Sequence, residues 1–304
     1  MPAMLGTLQL HHPIVAAAGT AGTGWELGEV LNLHHLGAVT TKSITREPRV
    51  GNAPMRVAEL PTGMLNAIGL ANPGIGAFLT DHRPRLDAVG CKVIGSVAGA
   101  STDDYVFVAE ALAASGLDAV ECNVSCPNTA DGRLFSDDPD RLRELVAAVR
   151  AVVGTTPLLV KLPLDFERAS RSAQAAIDGG ADILTLTNTV PGLAIDPVSR
   201  RPLLGKGAGG VSGPGIHPMV VRMVHDVYTH VAQRAGVPIL GLGGIMHWRD
   251  AATMLLAGAS AVGVGTALFA DPRRVIKINR GLERWVRDQG VESVQDLVGA
   301  ACFD

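Results

Sequence analysis

The sequence predicts an α/β protein with a (β/α)8 barrel fold, and three observations lead to that class. Eight apolar runs alternate with helix-like segments along the 304 residues. Most of these runs are continuously apolar, which is typical of parallel strands that are covered on both faces. Glycine-rich turns, GLGG at 241–244 and VGVGT at 262–266, end the seventh and eighth runs, where barrels bind phosphate. An open doubly wound sheet is the alternative, but its glycine fingerprint would follow the first strand.

Each predicted strand is an apolar, β-rich run bounded by glycine and followed by a helix-like segment. Residues 1–304 show no second domain and no low-complexity tail, so they are predicted to form one domain. The eight runs are PIVAAA (13–18), GAVTTKS (37–43), CKVIGSVAG (91–99), DAVECNVS (118–125), PLLVKLP (157–163), DILTLTN (182–188), VPILGLGG (237–244) and SAVGVGT (260–266).

Capping signals predict where the intervening helices begin. Thr102 is the expected N-cap of the helix over 102–115, and Asp138 precedes Pro139 at the start of the helix over 138–153. The helix over 247–259 opens at His247 and ends on glycine. His11 and His12 fall in a predicted N-terminal β-hairpin that plugs the barrel base. His217, at the start of another helix, is expected to lie at the surface or to cap.

Two connections are far longer than the few residues that usually join strand and helix. They cover residues 44–71 and 189–214, and both leave the carboxyl ends of their strands. Active sites of barrels lie on that face, so these loops are predicted to form a lid and substrate walls.

Composition and charge narrow the class of protein. Hydrophobic residues make up 47% and charged residues 18%, which allows a large core, and the net charge of −3 predicts no nucleic-acid partner. The four cysteines include no CxxC pair, so neither a disulfide framework nor a metal site is expected, and free thiols suggest a reducing compartment. We find neither a signal peptide nor an 18-residue apolar window, and predict a cytoplasmic protein without a membrane partner.

Polar residues at the predicted strand ends are the first candidates for chemistry. Lys42 and Lys161 could hold an anionic ligand or a ring that gains negative charge, although a lysine can also extend from the rim to solvent. Asn66, Asn123 and Asn188 suit a flat ligand whose edges carry alternating C=O and N–H groups. The late glycines favour a phosphorylated ligand, although they could simply close tight turns.

The stretch ECNVSCPNTA, residues 121–130, raises the question of what its cysteines do. Cys122 lies within a predicted strand, on the side opposite to Asn123, and is expected to be packing. Cys126 lies in a loop-like polar setting, where a thiol can be tuned toward a general base, although a small buried hydrophobe is the alternative. Cys91 and Cys302 carry no signal of reactivity.

Five motifs, in the same order along the chain, resemble the class 1 dihydroorotate dehydrogenases. The segment over 51–74 is most similar to the NAD-linked type B catalytic subunit. That resemblance implies FMN on this chain, a homodimer, and a partner subunit with FAD and a [2Fe–2S] cluster, giving a heterotetramer. The motifs are GMLNAIGLANPG (63–74), NVSCPNT (123–129), SGPGIHP (212–218), PILGLGGI (238–245) and ASAVGVGTAL (259–268).

The resemblance also implies roles for individual residues. Cys126 would be the base that removes the C5 proton of (S)-dihydroorotate while a hydride leaves C6, and Lys42 would lie beside flavin and substrate. Lys161 would face the flavin N1/O2 side, and the family often has serine where Ala18 stands. Further implied FMN contacts are Ala17, Ala18, Gly19, Lys42, Ser43, Asn123, Thr187, Gly213, Gly243, Gly244, Gly265 and Thr266. Implied substrate contacts are Lys42, Asn66, Ile68, Gly69, Leu70, Asn123, Asn128, Asn188 and Thr189.

Other functions stay open at this point. A fumarate-linked homodimer or a flavin-dependent dihydropyrimidine or dihydrouridine reductase would share fold and cysteine chemistry. A lyase barrel with a Schiff base on Lys161 would use the lysine and the phosphate glycines but not NVSCPNT. A subunit that binds a nucleotide without turnover is the non-catalytic alternative.

Overall fold

The computed structural model describes residues 1–125 and 135–302 of the chain. The strands are β1 (Ala3–Leu5), β2 (Leu8–Leu10), β3 (Ile14–Ala16), β4 (Ala38–Thr40), β5 (Val57–Leu60), β6 (Gly63–Asn66), β7 (Lys92–Val97), β8 (Ala119–Asn123), β9 (Leu158–Leu162), β10 (Ile183–Leu186), β11 (Val190–Gly192), β12 (Ile195–Asp196), β13 (Arg201–Pro202), β14 (Gly209–Ser212), β15 (Ile239–Leu242) and β16 (Ala261–Val264). The α-helices are α1 (Gly74–Ala77), α2 (Thr102–Ala114), α3 (Pro139–Val153), α4 (Ala169–Asp178), α5 (His217–Val227), α6 (Gln233–Ala235), α7 (Trp248–Leu256), α8 (Thr266–Ala270) and α9 (Arg274–Asp288).

Eight parallel strands close into a barrel in the order β3-β4-β7-β8-β9-β10-β15-β16, with β16 paired to β3. This is the sequence order of the eight predicted runs, so the (β/α)8 prediction is confirmed. Parallel neighbours are joined by crossovers, and α2, α3, α4, α5 and α7 pack outside the strands over a continuous apolar core. Within the described ranges, no helix has both the length and the apolar character needed to cross a membrane.

The helix starts follow local capping chemistry, with one correction. Ser101, not Thr102, is the N-cap of α2: its Oγ accepts a hydrogen bond from the Asp104 N–H at 3.2 Å. The prediction was wrong by one residue because serine and threonine both cap, and only the backbone dihedrals separate N-cap from first helical residue. Asp138 caps α3 as expected, and His247 begins α7 in a capping box with Asp250.

An antiparallel hairpin closes the amino-terminal end of the barrel. β1 and β2 pair with Ala3 opposite Leu10, and His11 and His12 follow the hairpin rather than lying in it. Apolar side chains of the hairpin form a second core with one layer of inward residues from the barrel strands. This inner core contains Leu5, Leu8, Leu10, Val15, Ala38, Ile94, Ala119, Leu159, Ile183, Leu240 and Ala261. The predicted plug is therefore present.

The two long connections pair with each other at the opposite end of the barrel. We call this end, where the carboxyl ends of the barrel strands lie, the mouth. Together they build a four-stranded antiparallel sheet in the order β11-β14-β6-β5, beside a small ribbon of β12 and β13. Asn66 of the first connection lies opposite Gly210 of the second. The predicted walls, expected from the sequence as two loops, are thus one sheet over the barrel mouth.

Candidate functional site

Polar side chains converge where the central barrel strands end. Asn123 at the end of β8 is in register with Lys161 on β9, and Lys161 is in register with Thr185 on β10. Alternation along a strand points these three side chains into the barrel. Lys161 is only 5% exposed and Asn123 only 7%, so neither fits the reading of a residue that reaches solvent at the rim. The predicted pair of strand-end groups therefore lies together under the mouth.

Lys42 closes one side of this mouth. Its backbone N–H donates to the Gly22 carbonyl oxygen at 2.8 Å, which ties the end of β4 to the loop after β3. A Cβ added at Gly19, where φ is +83°, would lie 3.7 Å from Lys42 Nζ. The loop with Ala18 and Gly19 and the Lys42 ammonium thus share one corner, where the positive φ of Gly19 disfavours a side chain.

The asparagines form a connected cluster. Asn188 Nδ2 donates to Asn123 Oδ1 at 3.1 Å and to Ser125 Oγ at 2.6 Å. Ser125 Oγ in turn donates to Asn123 Oδ1 at 3.0 Å, and the Thr189 N–H donates to Asn188 Oδ1 at 2.8 Å. Each amide is therefore held in one orientation, and the cluster can present ordered donors and acceptors to a planar ligand.

Ser43 and three residues not expected from the sequence, Ser96, Glu121 and Thr185, support the cluster from inside the barrel. Ser43 and Ser96 lie 2.9 Å apart through their hydroxyl oxygens, and Ser96 Oγ donates to Glu121 Oε1 at 3.4 Å. Thr185 Oγ1 donates to Glu121 Oε2 at 3.1 Å. Glu121 is only 2% exposed, and a carboxylate inside the apolar run AVECN is the same signal that singled out Lys161.

The wall over 66–72 is built by hydrogen bonds rather than by packing alone. Asn66 Nδ2 donates to the Gly210 carbonyl at 3.1 Å, across the paired connections. Gly69 and Leu70 both have positive φ, at 74° and 55°. Asn72, a residue the sequence analysis passed over, donates to the Leu70 carbonyl at 2.8 Å and fixes this turn. The backbone of Ile68, Gly69 and Leu70 is therefore preset beside the mouth.

The late glycines meet at a second corner of the mouth. Thr266 Oγ1 donates to Ser212 Oγ at 2.8 Å, which joins the end of β14 to the turn after β16. Gly244 has φ +68°, and a Cβ there would lie 2.7 Å from the Gly213 carbonyl oxygen. His217 Nδ1 lies 2.8 Å from the Gly243 carbonyl oxygen, so this histidine holds the glycine turn rather than standing free at the surface. The predicted phosphate residues are thus adjacent.

The residues around the mouth suit an anionic group. A Cβ at Gly265 would lie 3.6 Å from Thr20 Cγ2 and 3.7 Å from Ala17 Cβ, which are ordinary contact distances. Backbone turns that only glycine fits suit a phosphate, and Lys42 and Lys161 suit a ring that gains negative charge. Ala18 offers no side-chain hydrogen bond to such a ligand, unlike the serine that the family often has at this position. The donor set of these residues is compatible with FMN in charge.

The cysteines separate as the sequence suggested, as far as the structure describes them. Cys122 is fully buried in the outer core, and desolvation raises the pKa of its thiol to about 12. Burial also raises the pKa of Cys91 to about 12, and Cys302 is exposed. Cys126 and Asn128 lie outside the described residues. In residues 1–125 and 135–302, no group of three histidine, cysteine or carboxylate side chains is placed to hold a metal.

Comparison with known proteins gives one family. The sequence profile of the family described as dihydroorotate dehydrogenase matches residues 3–286. A protein of Solibacter usitatus, provisionally named dihydroorotate dehydrogenase A (fumarate), is 43% identical over 97% of this chain and 96% of its own. A protein of Trichlorobacter lovleyi, named dihydroorotate dehydrogenase B (NAD(+)), catalytic subunit, is 42% identical over 98% of both chains. One of Caldicellulosiruptor bescii with the same name is 38% identical over 96% of both.

Proposed function

The chain belongs to the dihydroorotate dehydrogenase family, and from this premise we propose how it oxidises (S)-dihydroorotate to orotate in pyrimidine biosynthesis. The proposal has four parts: FMN at the barrel mouth, an asparagine cluster that grips the substrate, Cys126 as the base, and NAD as the final acceptor through a partner subunit.

FMN is the cofactor in this proposal, and it would accept the hydride that leaves C6 of dihydroorotate. Its phosphate would lie on Gly243, Gly244, Gly265 and Thr266, beside Gly213. Lys161, buried under the mouth, would stabilise negative charge on the ring. Support comes from the glycine turns, which are joined by the hydrogen bond from Thr266 to Ser212, and from Lys42 beside Gly19. Ala17, Ala18, Ser43, Asn123 and Thr187 are the other proposed neighbours.

The substrate would be held by amides. Dihydroorotate carries alternating C=O and N–H groups on its ring and a carboxylate, which match the ordered donors and acceptors of Asn123 and Asn188. Asn66, Asn128, Thr189 and the preset backbone of Ile68, Gly69 and Leu70 are the further proposed contacts. Lys42, at the corner beside Gly19, would neutralise substrate charge.

Cys126 would remove the proton from C5 while the hydride leaves C6. A thiol is suited to this step because its pKa lies close enough to neutrality to be tuned by its setting. Ser125, its neighbour in sequence, is hydrogen-bonded into the asparagine cluster, which anchors the segment that leads to Cys126.

The observation that carries the proposal is the hydrogen-bonded cluster of Asn123, Ser125 and Asn188 at the mouth of a barrel that matches this family almost end to end. The test is direct. Purified protein should be yellow, release FMN on denaturation, and reduce a dye with dihydroorotate as donor. A chain that stays colourless after incubation with FMN, or that prefers dihydrouracil or dihydrouridine to dihydroorotate, would contradict it.

NAD is the acceptor we propose, because several relatives carry the name of a NAD(+)-linked catalytic subunit, a name that implies a second subunit in those enzymes. The partner would carry FAD and a [2Fe–2S] cluster, since the four cysteines of this chain lack the spacing for one. Two copies of the chain with two partners would form a heterotetramer. We propose that the enzyme acts in the cytoplasm, a reducing compartment, which agrees with the free thiols of Cys91, Cys122 and Cys302.

A fumarate-linked enzyme is the second candidate, because the Solibacter relative carries that name at 43% identity. Purification from the native host separates the two. Co-elution of an FAD and iron–sulfur protein with NAD reduction supports the NAD-linked enzyme. A homodimer that reduces fumarate without any partner supports the other.

A further inference from the structure

The asparagine cluster is continuous with the buried carboxylate of Glu121 through a line of hydrogen bonds. We infer that Glu121 is a positioning residue, which ends this line as an acceptor and thereby fixes the amide of Asn123 toward the substrate. The inference deepens the proposed function and rests on it, because it concerns the substrate side of that site.

At the Asn188 end of the line, the hydrogen bonds can be donated in only one direction. A peptide N–H can only donate, so the hydrogen bond from the Thr189 N–H identifies the Asn188 atom that faces it as Oδ1. Asn188 Nδ2 then faces Asn123, and the atom of Asn123 that accepts from it must be Oδ1. Asn123 Nδ2 is left to donate to Ser43 Oγ, at 3.2 Å.

The Glu121 end of the line has the same direction. Ser96 Oγ donates its hydrogen to Glu121 Oε1 at 3.4 Å. In the 2.9 Å contact between the two hydroxyls the hydrogen therefore comes from Ser43, whose oxygen accepts from Asn123. An ionised carboxylate can only accept, so it also takes the hydrogen of Thr185 at Oε2. The line is therefore consistent from both ends.

Because the line is buried, its hydroxyl groups depend on the Glu121 carboxylate as their final acceptor. Ser96 is 0% exposed, Ser43 4% and Glu121 2%, so water is kept from these hydroxyls. Without an acceptor at residue 121, Ser96 would turn its hydrogen toward Ser43, and Ser43 would then face two donors with no partner for its own hydrogen. A buried donor without an acceptor is costly, so the line would break and release the Asn123 amide.

The test compares two substitutions of similar size. Glu121→Met removes the acceptor, while Glu121→Gln can keep a carbonyl oxygen toward Ser96 and an amide toward Thr185 Oγ1. We expect E121M to retain FMN and to weaken orotate binding and raise KM for dihydroorotate by roughly tenfold, the factor for one 1.4 kcal/mol contact. E121Q should stay within about threefold of the parent, since it restores the acceptor that the line needs.

Two further variants separate positioning from a general loss of structure. Ser96→Ala cuts the line at one hydroxyl and should match E121M, and the double variant should be no worse than either single one. Cys122→Ala, on the opposite face of β8 from Glu121, should lower the melting temperature and leave orotate affinity unchanged. Orotate binding is read from the flavin absorbance of each folded holoenzyme.

The outcomes are distinct. Parental orotate affinity in E121M, equal losses in E121M and E121Q, or additive losses in the double variant would each overturn the inference alone. A parent that binds no orotate would overturn the proposed function, and this inference with it. Should E121M not fold, Ser96→Ala decides: a folded S96A with parental affinity overturns the inference, and a roughly tenfold loss supports it.

Discussion

Cys122 and Cys126, four positions apart, have opposite assignments. Cys122 alternates outward from β8 into the core under the helices, where desolvation raises the pKa of its thiol to about 12 and keeps it protonated. Cys126 follows the strand, next to a serine that is bound into the asparagine cluster. Alternation along β8 accounts for Cys122 as a packing thiol. The assignment of Cys126 as the candidate base rests on the resemblance to the family.

The first prediction uses this pair as candidate and control. Cys126→Ala should slow flavin reduction by dihydroorotate by roughly 10²–10⁴-fold, the usual contribution of a general base, while FMN stays bound. Cys122→Ala should leave that rate unchanged and lower the melting temperature, because it only opens a small cavity. Stopped-flow reduction measures both, and an unchanged rate in C126A would remove Cys126 from the mechanism.

Lys161 is the second residue whose setting is informative. It is buried under the mouth between Asn123 and Thr185, where a positive charge acts at low dielectric. Its proposed task is to favour negative charge on the reduced flavin.

The second prediction follows from that task. Lys161→Met keeps the shape and removes the charge, so the two-electron midpoint potential of the bound flavin should fall by about 30 mV or more, equivalent to about 1.4 kcal/mol. Potentiometry of the holoenzyme measures it. A variant with the parental potential would place the lysine away from the ring, whatever its effect on turnover.

At the scale of elements, comparison with Gly236 at the end of α6 shows that contacts, rather than glycine content, shape the turn after β15. Gly236 and Gly244 have nearly the same φ, +67° and +68°, yet their surroundings differ. A Cβ at Gly236 would meet nothing within 4 Å, whereas one at Gly244 would meet the Gly213 carbonyl oxygen and His217 Cβ, both at 2.7 Å.

The third prediction compares these two glycines. Both Gly236→Ala and Gly244→Ala should destabilise the fold by about 1–2 kcal/mol through the left-handed backbone. Only Gly244→Ala should also weaken FMN binding, by roughly tenfold or more, because the new methyl group pushes the turn after β15 away from Gly213 and His217, at the proposed phosphate site. FMN dissociation constants and urea unfolding are the measurements. Equal FMN affinity in both variants would show that the corner does not bind the phosphate.

Element boundaries show how local signals reach their limit. The N-cap of α2 is Ser101 although Thr102 is equally suited by type, because the extended backbone at Ser101 puts its hydroxyl over the Asp104 N–H. The π-helical turns Phe78–His82 and Tyr228–Ala232 carry no pattern in the sequence that predicted them.

At the scale of the whole molecule, the N-terminal hairpin and the sheet over the mouth close opposite ends of one barrel. His12 follows the hairpin, and burial is the main cause that lowers its pKa from 6.5 to about 4. The folded protein therefore binds fewer protons at His12 than the unfolded chain does between those pH values.

The fourth prediction is the resulting pH dependence. This contribution to stability should be complete above about pH 6.5 and should be lost as the pH falls toward about 4, because protonation then favours the unfolded chain. The melting temperature of the parent should fall more between pH 7 and pH 5 than that of His12→Asn. Parallel curves for the two proteins would show that His12 is not responsible.

The amino-acid sequence by itself determined the barrel strands and the plug hairpin, and it indicated the candidate polar residues at the strand ends. Apolar runs, glycine turns and strand-end polar groups are local features, and each can be recognised from a few consecutive residues. Lys161 could be identified as a candidate in the same way, because a lysine inside the apolar run PLLVKLP is unusual.

Only the tertiary structure decided how these pieces meet. Ser43 bonds Ser96 53 residues away and Asn123 80 residues away, and Asn66 reaches Gly210 across 144 residues. Such contacts depend on which strands become neighbours when the barrel closes, and no local pattern encodes that distance. The supporting line from Glu121 to Asn123 and the sheet over the mouth exist for this reason only in the folded chain.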